Sequence, residues 1–235
     1  MRSNFTRAVT LAAVSTLGAC ASLPQQPFNH AANPQIRTIG LLSPDISPEL
    51  AVHVAVGAGA SFGLIGGLID AGVESSKTGD FNEAMKQKGL NMPGTLYADV
   101  ARALAANGYR VKPVAVARGD GGLLESYPPA DGSVEAYLDL SSSIIGYESA
   151  GATTPYRPTI GLTCKLVSAR DGTLLMQDTI AYNPFGNSNT AVTIPPDTKF
   201  EFPGFSDIMA DPDKAAAGLK VASVATAQAV GQLLK

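Results

Sequence analysis

The sequence predicts an α+β fold, and three stretches predict it. Thr159 to Ala169 and Thr173 to Tyr182 are alternating runs joined by Arg170-Asp171-Gly172, and an Asp-Gly turn between two such runs is a strong antiparallel hairpin signal. Val134 to Tyr147 alternates, with Val134, Ala136, Leu138 and Leu140 on one face and Glu135, Tyr137, Asp139 and Ser141 on the other, as in a sheet with one solvated face. Asp211-Pro212 is an N-cap followed by a first-turn proline, opening a helix to Lys235 whose stripe is Leu219, Ala222, Thr226, Val230 and Leu233. Together these give a mainly antiparallel sheet of about four to five strands packed by helices on one face.

The remaining elements follow along the chain. Residues 1–19 read as a secretory leader, 20–35 as a flexible tether rich in proline and free of charge, and 36–235 as a single domain. Ile36 to Leu42, followed by Ser-Pro-Asp, is a first strand. Within the glycine-rich segment 51–72, Ala51 to Ile69 carries no formal charge, and Gly59, Gly63 and Gly67 recur at a spacing of four. Three readings stand there: a superficial dinucleotide fingerprint with Glu74 as its acid, a glycine face for helix packing or membrane insertion, or a segment packed on the protein's own sheet. Asp80-Phe81-Asn82-Glu83 has the form of a capping box for a short helix ending near Gly89. Leu96, Val100, Ala103 and Leu104 share one face of a helix that ends at Asn107-Gly108. Tyr109 to Ala117 is a strand that Pro113 pushes towards an edge or a bulge. Asn183 to Phe205 is an irregular arm carrying Phe185, Phe200, Phe202 and Phe205. It either pins itself across its own core or presents Phe200, Phe202 and Phe205 to a partner.

The composition narrows the class of function. The 235 residues hold 17 Lys+Arg against 20 Asp+Glu, a formal charge of −3. That balance lacks the basic footprint of phosphate neutralisation, so no nucleic-acid partner is expected. A charged fraction of 16% and a hydrophobic fraction of 45% suit a chain with a core of its own. In the leader, Arg2 and Arg7 precede a short apolar run from Ala8 to Leu17, too short to span a bilayer. Leu17-Gly18-Ala19-Cys20 is similar to the lipobox of bacterial lipoproteins. That resemblance implies that Cys20 is diacylated and becomes the mature N-terminus, and that Ala21 rather than Asp sends the protein to the outer membrane. Cys164 is then the only free thiol, and alternation places it beside Ile160, Leu162 and Leu166 on the apolar face, which predicts a buried, inert group.

The order of elements behind that lipobox resembles small envelope lipoproteins with a TolB N-terminal-like or CsgG-like α/β domain, among them penicillin-binding-protein activator lipoproteins. The residues that carry the resemblance are Leu17 to Cys20, the helix running into a strand over Ala98 to Val111, and the hairpin Lys165 to Leu175. It implies a binding or assembly role with no catalytic site to carry over. The glycine segment and the Phe-rich arm depart from the pattern.

Residues suited to catalysis are few. His30 falls in the tether, and His53 lies in an apolar run with no acidic neighbour in sequence, so a Ser-His-Asp arrangement would rest on one imidazole. Zinc and calcium spacings are absent, and Gly72 to Thr78 lacks the glycine that a phosphate loop needs before Lys77. Asp131, Glu135 and Asp139 would suit a glycosidase only if they converged on a cleft; solvated strand-face charges are the plainer reading. No catalytic residue, metal or cofactor is expected. The expectation is a non-enzymatic outer-membrane lipoprotein that faces the periplasm and binds or scaffolds envelope proteins, or itself. One alternative is a membrane-active or pore-associated subunit using Gly59, Gly63 and Gly67. Another is a periplasmic hydrolase built on His53.

Overall fold

The computed structural model describes residues 25–54, 71–119, 121–151, 153–184 and 191–235. Leu17 to Cys20, the glycines 59, 63 and 67, and Phe185 lie outside the described residues. The elements run β1 (Thr38–Leu42), β2 (Ala51–Val54), α1 (Ala71–Gln87), α2 (Met92–Ala106), β3 (Arg110–Val114), β4 (Ala136–Ser149), β5 (Arg157–Ser168), β6 (Leu174–Tyr182) and β7 (Val192–Ile194). A 3-10 turn (Thr198–Phe200), α3 (Phe205–Ala210) and α4 (Pro212–Leu233) complete the chain.

The fold is α+β, as predicted, but among the described residues the sheet has seven strands rather than four to five. Its order is β3-β1-β4-β5-β6-β7, with β2 beside the far half of β4. The long pairings, β4 with β5 and β5 with β6, are antiparallel, whereas β1–β3, β1–β4, β2–β4 and β6–β7 are parallel, which makes the sheet mixed. Five of the seven strands are those the alternation marks. The other two, β2 and β7, are four and three residues long, too short for a period of two to show.

β4 organises the core. Leu138 and Leu140 face the helices, and a bulge between Ser142 and Ile144 then shifts the phase, so that Ile145 and Tyr147 face them too. The hairpin turn is as predicted, with Gly172 at φ 73°. α2 starts at Asn91, whose side chain accepts from the Gly94 N–H, and closes at Gly108 with φ 90°. α4 starts at Asp211, which accepts from the Lys214 N–H at 3.0 Å. The two helices are joined by polar contacts: Ser223 Oγ donates to Asp99 Oδ2 at 2.7 Å in the interior, and Asn107 Nδ2 donates to the Gly231 carbonyl at 2.7 Å, partly buried. Gly218 lets α4 settle on β4, since a Cβ there would overlap the Tyr147 hydroxyl.

Several local expectations change. Asp80-Phe81-Asn82-Glu83 lies inside α1 rather than at its start. Asn82 uses its amide to hold β2 instead, accepting from the Leu50 N–H and donating to the Leu50 carbonyl, both at 2.8 Å. Phe200 and Phe202 are 7% and 2% exposed and Phe205 is half-buried. The Phe202 ring meets Tyr147 edge-on, with centroids 5.5 Å apart, and the Phe202 main chain pairs with Tyr156. Two of the three rings read as candidate partner anchors are therefore part of the protein's own core, where the arm crosses the sheet. The segment read as a free tether is docked from Gln25 onward, where Gln26 forms an antiparallel bridge with Gln177 of β6. Finally, the face of β4 expected to meet solvent is covered: Tyr137 is 3% exposed and Asp139 not at all.

Candidate functional site

A cluster of polar groups lies on that covered face. β4 alternation points Tyr137, Asp139 and Ser141 away from the helices, and the chain between β3 and β4 folds back over them. A second, smaller core forms beneath it from Leu42, Val134, Tyr137, Val167 and Ala169, with Leu124 and Tyr127 packed on top. Burying the Asp139 carboxylate in such a place is costly unless it is fully matched. It is matched by Arg118 Nη2 at 2.5 Å and the Leu124 N–H at 2.7 Å, with the Tyr127 hydroxyl at 3.4 Å. Arg118 also donates through Nε to the Ser43 carbonyl at 2.8 Å and through Nη1 to the Gly122 carbonyl at 3.2 Å.

Asp45 repeats the device one strand away. Its Oδ2 accepts from the Gly122 N–H and from Ser141 Oγ at 3.0 Å, while its main chain bridges to β4. Gly121 and Gly122 have φ of 96° and 87°, the left-handed turn that brings these N–H groups onto the carboxylates. Lys165 of β5 stands opposite Asp139 in register and lies 5.2 Å from the Tyr127 ring centroid. Burial, and then the charge of Asp139, push the Tyr127 phenol well above its ordinary pKa, so it remains a neutral donor. These donors all come from the same chain, and the arrangement works as a latch on the loop.

The acids singled out in the sequence do not converge. Asp131 is exposed, and its carboxylate accepts from the Ser133 N–H at 2.8 Å. Glu135 accepts from the Thr38 and Arg37 N–H groups and ties the start of β4 to β1. Burial works against its charge, but those N–H groups outweigh it and hold its pKa below the ordinary value. Of the three, only Asp139 belongs to the latch. Arg118 and Asp45 escaped the sequence reading; the signal available was the arginine beside the glycine pair Gly121-Gly122.

His53, which has no acidic neighbour in sequence, gains one in the fold. The parallel pairing of β2 with β4 sets it opposite Glu148, with Nε2 2.5 Å from Oε1. The next hydroxyl along β4, Ser149, projects to the opposite face, where its Oγ donates to the Gly151 and Thr154 carbonyls. A Ser-His-Glu relay is therefore not assembled from these three residues. Among the described residues, no group of three or more His, Cys, Asp or Glu is placed to hold a metal ion.

Cys164 sits where alternation put it, fully buried, with Sγ donating to the Asp178 carbonyl at 3.5 Å. Burial, reinforced by the charge of Asp178, pushes its thiol up to about 12. At pH 8 the thiolate fraction is then on the order of one in ten thousand. The native protein is expected to react with a maleimide at least a hundredfold more slowly than after denaturation in urea. Equal rates before and after denaturation would show that the thiol is open.

No family model matches the chain, and no curated protein matches it. Among solved structures it is similar to protein XCC0632 from Xanthomonas campestris, a DUF330 protein, with 13% identity over 89% of this chain and 85% of that one and a TM-score of 0.43. It is also similar to the PelC dodecamer from Paraburkholderia phytofirmans, with 10% identity over 89% and 94% of the two chains and a TM-score of 0.38. A neuraminyllactose-binding hemagglutinin homolog from Helicobacter pylori gives 10% identity over 91% and 88%, with a TM-score of 0.28.

Proposed function

We propose that this chain is a lipid-anchored protein of the bacterial envelope that works by binding, holding an envelope protein or a second copy from the periplasmic side of the outer membrane. The observation that carries the reading is Leu17-Gly18-Ala19-Cys20 at the end of a charged-then-apolar leader. In this reading a lipid at Cys20 supplies the attachment to the membrane. Among the described residues no helix is long and apolar enough to cross a membrane. Neither the Asp139 carboxylate, held by Arg118, nor the Cys164 thiol is open to a substrate, and the reading assigns no catalytic residue. The resemblance to TolB N-terminal-like and CsgG-like lipoproteins belongs to the same proposal.

The wild-type chain is expected in the outer-membrane fraction, with a mass that includes acyl chains. Cys20→Ala is expected to move it to the soluble fraction or leave the leader uncleaved. Crosslinking in intact cells then identifies the partner. A soluble, unacylated wild-type protein would overturn the proposal.

A further inference from the structure

The segment behind the anchor is fixed to the domain by several independent contacts. The Gln26 N–H donates to the Gln177 carbonyl at 2.8 Å, and the Gln26 carbonyl accepts from the Gln177 N–H at 2.9 Å. Gln26 Nε2 donates to the Leu174 carbonyl at 2.7 Å, and Gln25 Nε2 donates to Asp178 Oδ1 at 2.8 Å. Phe28 packs against the core and meets the His30 ring edge-on at 4.6 Å. His30 Nε2 in turn lies 2.8 Å from the Leu234 carbonyl at the end of α4, which also accepts from the Tyr109 hydroxyl at 2.7 Å. The bridge at Gln177 lies along the β6 edge that β7 continues over Ile180 to Tyr182.

Covalent geometry turns this into a constraint. From Gln25 back to Cys20 the fully extended chain spans at most about 18 Å, against roughly 50 Å if the whole of 21–35 were free. The sheet measures about 24 Å from β3 to β7 at ~4.8 Å per strand. A leash shorter than the sheet is wide cannot let the domain tumble freely above the bilayer.

Resting on the lipid anchor proposed above, we infer that the docked residues 25–30 orient the domain, holding the β6–β7 edge towards the phospholipid surface and turning the β3 edge away. The partner of the first edge is the lipid surface itself. The β3 edge and the loop latched by Arg118 then face the periplasm.

The test uses the acylated full chain in phosphatidylethanolamine–phosphatidylglycerol vesicles that carry an energy-transfer acceptor on their headgroups. With Cys20 acylated and Cys164 buried, one introduced cysteine takes the donor dye, placed either at Thr193→Cys on β7 or at Lys112→Cys on β3, both exposed positions. Transfer from position 193 is expected to be at least twice that from position 112. Gln26→Pro removes the N–H that Gln177 accepts, and it should bring the two values together. If that variant fails to fold, a flexible Gly-Ser insert of about ten residues after Ser22 lengthens the leash and should do the same. Equal transfer from both positions in the parent overturns the orientation while leaving the anchor intact. A chain that fails to sediment with vesicles and carries no acyl mass rejects the anchor, and the orientation falls with it.

Discussion

Replacing Asp139 by Ala is expected to lower the stability of the domain by about 3–5 kcal/mol, the usual cost of leaving one member of a buried ion pair without its partner. Asp139 is fully buried and the Arg118 side chain is 16% exposed, so the guanidinium cannot recover its hydration by turning outward. The Leu124 N–H and the Tyr127 hydroxyl lose their acceptor in the same step. For a chain of this size such a loss lowers Tm by roughly 10 °C or more, and urea denaturation followed by circular dichroism measures it directly. The loop between β3 and β4 should become the first site of proteolysis, since its attachment to the sheet runs through Arg118, Gly122 and Leu124. Asp139→Asn keeps an acceptor for Leu124 without the charge and should fall between wild type and Ala. The double variant Arg118→Met, Asp139→Leu removes both charges and should regain much of the loss. A cost below about 1 kcal/mol for Asp139→Ala would show that the latch is not closed in solution.

That latch marks the boundary of what the sequence made legible. The period of two in Val134 to Tyr147 placed Leu138 and Leu140 on the helix face, and it also placed Asp139 on the other. Periodicity assigns a residue to a face; it does not say what covers that face. Covering it takes a loop with a left-handed Gly121-Gly122 turn and a cation 21 positions away from its partner; the arginine beside the glycine pair marks the loop, but nothing local names Asp139 as its partner. His53 and Glu148 show the same limit, for they meet only because β2 runs parallel to β4. The phase change at Ser142 to Ile144 hid in a run of three serines, where either face is acceptable locally. Elements defined by their own ends read well: the close of α2 by Asn107-Gly108, α4 by Asp211 and Pro212, the hairpin by Asp171-Gly172. The docking of Gln25 to His30 did not, because residues without charge or periodicity look the same whether free or held by main-chain hydrogen bonds.

Gly146→Ala is expected to be the second costly substitution, and its reason lies in that same parallel pairing. Ala51 of β2 sits opposite Gly146 in register. A Cβ on Gly146 would overlap the Ala51 carbonyl oxygen and come within 2.7 Å of the Ala51 C and N atoms. These are backbone atoms, so no side-chain rotation makes room, and either β2 or β4 must move. The cost expected is about 3 kcal/mol, with β2 loosened from the sheet and His53 drawn away from Glu148. Gly161 provides the control on the neighbouring strand: a Cβ there would overlap only Ser143 Oγ, a hydroxyl that can turn aside, with Ile144 Cγ2 at 3.3 Å. Gly161→Ala also restricts the unfolded chain, which offsets part of the crowding, so its cost should stay below about 1 kcal/mol. Urea midpoints of the two variants decide the matter. Equal midpoints would mean that β2 does not approach β4 as closely as the register requires, and the His53–Glu148 pair would lose its foundation with it.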